Sequence, residues 1–240
     1  MSIIAYFNGQ EILLDELKVS ANDRAYIFGD AIYEVLRVYR GQPMIINAHM
    51  NRLKNSLKAI GMAELDLTEQ ILRNISLNKI IEGMVYVQVS RGSAPRVHSF
   101  YKLDLSPNIL IYAKAFTEHP SENDAKNGIS AITHEDIRSS ICHIKTINLL
   151  PNCLLQTKAH EQGASEAILH RGEIITEGTS CNVFMVKNNS IFTPPLSHAV
   201  LPGTRRQFLI DNFKIPVIER EIIHDPQGLW VCRSEGCIVQ

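Results

Sequence analysis

The run DIRSSICHIKTINLLPNCLLQTKAHEQGASEAILHRGEIITEGTSCNVFMV, residues 136–186, constrains the fold of this chain more than any other stretch. It places a single helix ahead of a succession of short extended segments. Pro151 stands in a first turn, where a missing amide costs nothing, so residues 151–163 are predicted helical up to Gly163. Residues 166–170, 182–187 and 191–193 then read as strands, apolar and bounded by turn residues. Lys145 precedes the helix, between Ile144 and Thr146, where a strand or loop feeds it. Partial burial there lowers an ammonium pKa from about 10.4 and yields the neutral amine that Schiff-base chemistry requires. Taken alone this marks Lys145 only weakly, because most lysines are solvated charges. Glu177, beside Gly178, reads locally as a turn carboxylate between strands around Ile174 and Asn182.

Taken in order, the chain opens on a predicted hairpin, its strands at 3–7 and 11–14 joined by Asn8 and Gly9, which suit the positive φ of a tight turn. Residues 31–39 form a β-branched and aromatic strand that Gly29 and Asp30 introduce, and Tyr33 lies on it. Asn47 is the expected N-cap of a helix that carries His49, Arg52, Leu53, Leu57 and Ile60 and stops at Gly61. Arginine on such a first turn suits a phosphate through its planar fork of donors. A second amphipathic helix is predicted over 67–81, ended by Gly83, with strands at 84–90 and 107–115. Between those strands, RGSAPRVHSF sets Arg96 and His98 on one side of an extended loop, able to grip a carboxylate; the plain alternative is a basic surface loop. FTEHPSENDAKNG is polar and rich in turn formers and marks the expected domain boundary. After LPG at 201–203 a further helix is predicted, and amides at such a helix start suit a phosphate.

The residues IKTINLLPNCLLQTKAHEQGASEAILHR, followed by TEGTSCNVF, together with the upstream DRAYIFGDAIYE and the PRVH loop, resemble the fold-type IV pyridoxal-phosphate enzymes. The resemblance is strongest to the D-amino-acid aminotransferases; the group also holds the branched-chain aminotransferases and the 4-amino-4-deoxychorismate lyases. It implies an α+β fold, with a small N-terminal α/β domain over 1–118 and a larger cofactor domain over 119–240 whose sheets form a barrel-like core. It implies pyridoxal 5'-phosphate as cofactor, carried by Lys145 as an internal aldimine. Glu177 would face the pyridine nitrogen, and Ser180 would lie in the same cofactor segment. Arg52, with His49 beside it, Gly203, Thr204, Arg205 and Ser234 would serve the phosphate. Tyr33, Arg96 and His98 would trap the substrate α-carboxylate, with the loop reaching a partner subunit, so a homodimer is expected. The expected reaction moves an amino group between a D-amino acid and a 2-oxo acid. The alternative is 4-amino-4-deoxychorismate lyase, releasing pyruvate to give 4-aminobenzoate. RQF and VCRS near the C-terminus favour it, and the Arg96–His98 pair opposes it. Thr204 and Arg205 stand where the D-aminotransferases usually carry Ile and Thr. Related chains continue well beyond the strand expected at 229–232, so a shortened C-terminus, an incomplete chain and a weakened phosphate site remain three open readings.

Composition narrows the class. A formal net charge of -1 offers no broad field for nucleic acid or an anionic membrane, and no apolar run approaches the length that spans a bilayer; a cytoplasmic protein is expected. Five cysteines without a C-x-x-C pair argue against a disulfide framework and against a structural zinc, so no metal is expected.

Overall fold

A computed structural model describes residues 2–116, 127–212, 216–223, 229–233 and 236–238, so most of the expected boundary segment lies outside the described residues. The chain divides into two compact units: Met1–Thr117 with Ile144–Asn148, and Glu118–His143 with Leu149–Gln240. The lysine segment therefore groups with the first unit, while the residues flanking it in sequence group with the second.

In the first unit β1 (Ile4–Phe7), β2 (Gln10–Leu13), β3 (Ala31–Tyr39), β4 (Gln42–Pro43), β5 (Gly83–Ser90) and β6 (Asn108–Ala115) form a sheet in the order β2-β1-β6-β5-β3-β4. Its neighbouring strands pair antiparallel. Strand alternation puts Ile32, Leu36, Val38, Val85, Val87, Val89 and Ile111 on one face. They bury against Leu53 and Leu57 of α2 (Ile46–Ala59) and against Ile71 and Ile75 of α3 (Thr68–Leu77). Each such side chain removed from water contributes about 1.5–3 kcal/mol, which makes this layer the principal core of the unit. The other face carries an aromatic row, Tyr33, Tyr86 and Tyr112, with ring centroids 6.0 and 5.3 Å apart.

Several local expectations need correction. Asn8 and Gly9 do turn the hairpin, both at positive φ. Asn47, however, does not cap α2: the cap is Ile45, left-handed at φ 45°, with no side-chain hydrogen bond, and Asn47 lies inside the first turn. Pairing of Tyr39 with Gln42, and the 2.8 Å bond from the Met44 amide to the Arg37 carbonyl, fix the chain just before it. The second helix ends at Leu77, not 81, as Lys79 turns left-handed at φ 52°. Gly83 is a strand residue, whose Cβ would lie 2.2 Å from the Lys114 carbonyl oxygen. A short helix, α1 (Arg24–Phe28), had no counterpart in the sequence reading; Asp23 caps it and left-handed Gly29 ends it.

In the second unit β7 (Ala131–Glu135) runs parallel to β8 (Glu166–Arg171), and the crossover between them carries α4 (Leu150–Glu161). Leu155 and Ala159 of that helix pack on Ala167 and Leu169. With β9 (Ile174–Gly178) these strands form a three-stranded sheet. A five-stranded sheet has the order β12-β11-β10-β13-β14, from β10 (Cys181–Lys187), β11 (Ser190–Thr193), β12 (Val217–Glu219), β13 (Leu229–Arg233) and β14 (Gly236–Ile238). Ile168, Ile175, Val183, Met185 and Phe192 form the core shared by the two sheets. After Gly203 comes α5 (Thr204–Asn212), as expected. Among the described residues no helix is long and apolar enough to cross a membrane.

Candidate active site

Lys145 is held along the edge of β3. The Tyr33 amide donates to the Lys145 carbonyl at 3.0 Å, Ile147 donates to Ala31 at 3.2 Å, and the Lys145 amide donates to Ser56 Oγ at 3.3 Å. Both backbone polar groups of the lysine are thus engaged, and the position of its Cα is fixed by a buried strand and a helix rather than by a free loop. The half-buried side chain puts Nζ 4.1 Å from the centre of the Tyr33 ring. Asn148 closes the segment against α1: its Nδ2 donates to the Gly29 carbonyl at 3.2 Å. A Cβ at Gly29 would strike Asn148 Oδ1 at 2.1 Å, so that junction requires glycine for space as well as for φ.

Beneath the strand lies a buried charge cluster. Glu34, fully buried, accepts from His49 Nδ1 at 2.7 Å and from Arg52 Nε at 2.8 Å and Nη2 at 2.7 Å. Burial alone would raise the Glu34 carboxyl, but the Arg52 charge and the hydrogen bonds from Arg52 and His49 overcome it and hold the group at about 2. Burial in turn pushes the His49 imidazole below its usual range, against the pull of Glu34. Arg52, expected to serve a phosphate, is thereby oriented by a chelating carboxylate. The sequence carried a signal for Glu34: it is the carboxylate in the apolar strand AIYEVLRVY, in phase with Ile32 and Leu36.

The PRVH loop is anchored from α1. Arg96 stands 5.5 Å and the His98 ring 5.4 Å from the Phe28 ring, which brings these two expected carboxylate donors to one aromatic platform. Tyr33 belongs to the other cluster, with Lys145 and Tyr86.

In the second unit Glu177 is buried at the end of β9. It accepts from Arg138 Nη1 at 2.5 Å, from Asn182 Nδ2 at 3.1 Å and from the Leu201 amide at 3.0 Å. Burial pushes its carboxyl up to about 7, while Arg138 and the Leu201 amide pull the other way. Arg138 is shared with Asp136, whose carboxyl also accepts from Arg171 at 3.1 Å. Sequence reasoning passed over Asp136 and Arg138, although DIR in a run of small and apolar residues was the available sign.

The turn after Glu177 is fixed from behind. Buried Glu166 accepts from the amide and hydroxyl of Thr179 and, at 3.3 Å, from the exposed Ser180 hydroxyl. At the start of α5, a Cβ on Gly203 would fall 1.8 Å from Asn182 Oδ1, the same side chain that bonds Glu177. Thr204 is buried and Arg205 half-buried in the first turn. Ser234 lies outside the described residues.

Comparison with known proteins gives consistent matches. The sequence pattern of the family described as amino-transferase class IV matches residues 31–232. The chain is 38% identical over 223 residues to a D-alanine aminotransferase of Staphylococcus epidermidis, covering 90% of this chain and 78% of that one. It is 40% identical over 208 residues to that of Staphylococcus haemolyticus, covering 85% and 73%. Among solved structures, the branched-chain amino acid aminotransferase of Escherichia coli superposes with a TM-score of 0.87 at 21% identity, over 100% of this chain and 85% of that one. The 4-amino-4-deoxychorismate lyase of Pseudomonas aeruginosa superposes at 0.81 and 19% identity, over 98% and 89%. These two likenesses concern the fold.

Proposed function

This chain belongs to the class IV aminotransferases, which are pyridoxal-phosphate enzymes, and we propose that it moves an amino group between a D-amino acid and a 2-oxo acid. The observation that carries the choice of substrate is the match to D-alanine aminotransferases over most of the chain. The residues present fit the cofactor. A lysine amine sits on a backbone pinned at both its polar groups. A buried carboxylate is held by three donors. A helix begins just after a glycine against whose bare Cα the Asn182 side chain packs, with Oδ1 1.8 Å from where a Cβ would stand.

In this reading Lys145 would hold the cofactor through its amine. The same amine, when free, would serve as the base that takes and returns the proton at the substrate α-carbon. Glu177 would keep a proton on the ring nitrogen, its position set by Arg138, Asn182 and the Leu201 amide. Gly203, Thr204 and Arg205 would present the first turn of α5 to the phosphate, with Arg52 as a further donor and Ser180 beside the ring. The bound cofactor supplies an electron sink for the α-carbon. In the proposed homodimer the PRVH loop would carry Arg96 and His98 to the site of the other subunit, where they and Tyr33 would fix the α-carboxylate and therefore the face on which the proton moves.

Arg96→Lys tests the last assignment, because a point charge cannot replace a two-pronged fork. The expected result is a KM for D-alanine about 10-fold or more higher, the loss of one charge-assisted hydrogen bond. Unchanged KM and kcat would remove the loop from the carboxylate site. The working form is proposed to be a homodimer, which the exposure of Val97, Phe100 and Tyr101 along that loop supports. Light scattering should return twice the chain mass; a monomer with full activity would contradict it.

A further inference from the structure

Arg24 and Phe28 have no role in the reading above, yet they make the contacts that define the PRVH loop. Arg24 is almost wholly buried, at 3% exposure. Its Nη1 donates to the Val97 carbonyl at 2.7 Å and its Nη2 to the His98 carbonyl at 3.1 Å, while Nε donates to Asp30 at 2.7 Å. Its guanidinium lies 4.7 Å from the Phe28 ring, the ring that Arg96 and His98 also approach. The backbone adds to the clasp: the Arg24 amide donates to Gly92 at 2.9 Å and the Ala94 amide to Asn22 at 3.1 Å. Asp30 is itself shared with Arg91 at 2.8 Å, and this pairing holds its carboxyl below the usual range although burial opposes it.

We propose that the Arg24–Phe28 clasp pre-sets the substrate-carboxylate trap, making Arg24 and Phe28 positioning residues for binding of the α-carboxylate. The proposal rests on the reading of Arg96 and His98 as that trap. A loop exposed at 95–100 would otherwise sample many conformers, and ordering it only on binding would cost backbone entropy. Arg24 meets that cost before substrate arrives by fixing the two carbonyls that follow Arg96. Phe28 offers the two donor side chains one flat wall, which limits their rotamers. Lysine at position 24 has one nitrogen in place of three and cannot hold both carbonyls and Asp30 in the fixed geometry of the guanidinium fork, and leucine at position 28 keeps the bulk without the π face.

The test compares Arg24→Lys, Phe28→Leu and Arg96→Ala in the cofactor-loaded enzyme. It reads KM and kcat for D-alanine and the inhibition constant of propionate, a carboxylate that lacks the amine. The clasp predicts that Arg24→Lys and Phe28→Leu each raise KM and the propionate constant in parallel, about 10-fold, with kcat within about 3-fold of the parent and an unchanged cofactor spectrum. Phe28→Leu alters a half-buried ring and guards against loss of folding in the buried Arg24 variant. If Arg96→Ala raises both constants while the other two variants leave them unchanged, the clasp is wrong and the trap stands. If kcat and cofactor binding fall as KM rises, the role is general folding and the proposal is overturned. If Arg96→Ala changes neither constant, the trap reading falls, and the clasp falls with it.

Discussion

Lys145→Ala abolishes transamination, by at least about 10⁴-fold in kcat, and removes the long-wavelength absorption of the cofactor-loaded protein. The size follows from two losses at one atom: the amine that would hold the cofactor and the base that would move the α-proton. Removal of a nucleophile that doubles as a base is not compensated by neighbours. Folding should survive, because the segment is pinned through the backbone groups of Lys145, Ile147 and Tyr33 and not through the side chain. Absorbance and turnover should therefore collapse without a large shift in Tm. A variant that retains the band would take the cofactor linkage away from Lys145.

Glu177→Gln is expected to lower kcat by about 10²–10³-fold, the range seen when one preorganised electrostatic partner is deleted from a buried site. An amide can still accept from Arg138, but it cannot hold a proton on a ring nitrogen by charge. The same variant has a signature in the cofactor-free protein. Burial raises the Glu177 carboxyl from 4.5 to about 7. An acid whose pKa is raised on folding favours the folded state below its unfolded pKa and loses that contribution as pH rises through the folded one. Stability of the cofactor-free protein should thus fall between pH 4.5 and about 7 by on the order of 3 kcal/mol from this group. Glu177→Gln should flatten that limb. Urea unfolding across this range measures it, and an identical pH dependence in parent and variant would show that Glu177 is not the group responsible.

What could be read from the sequence was local. The β-branched and aromatic run 31–39 placed a strand, and Asn8–Gly9 placed the first turn, because strand propensity and positive φ leave their mark within a few residues. The spacing of Arg96 and His98 put both on one side, and they do share the Phe28 platform. What could not be read depended on partners distant in sequence. The left-handed Ile45 follows from a strand pairing that no propensity reports. The Glu34–Arg52 chelate joins residues on different elements, and Arg138 reaches Glu177 across 39 positions. Arg24 stood in the sequence only as part of DRAYIFGDAIYE, and the carbonyls of Val97 and His98 reveal what it holds. Buried ion pairs of this kind stabilise only when geometry and hydrogen bonding are complete, and completeness is a tertiary property.

The most direct test of the account is the visible absorption of the cofactor-loaded protein, recorded before and after D-alanine and, separately, L-alanine, with no keto acid present. The account predicts that D-alanine alone discharges the long-wavelength band and that pyruvate then restores it. A band that persists with both enantiomers, or that only L-alanine discharges, would contradict D-amino-acid transamination; persistence with both would direct the next assay to pyruvate release from 4-amino-4-deoxychorismate.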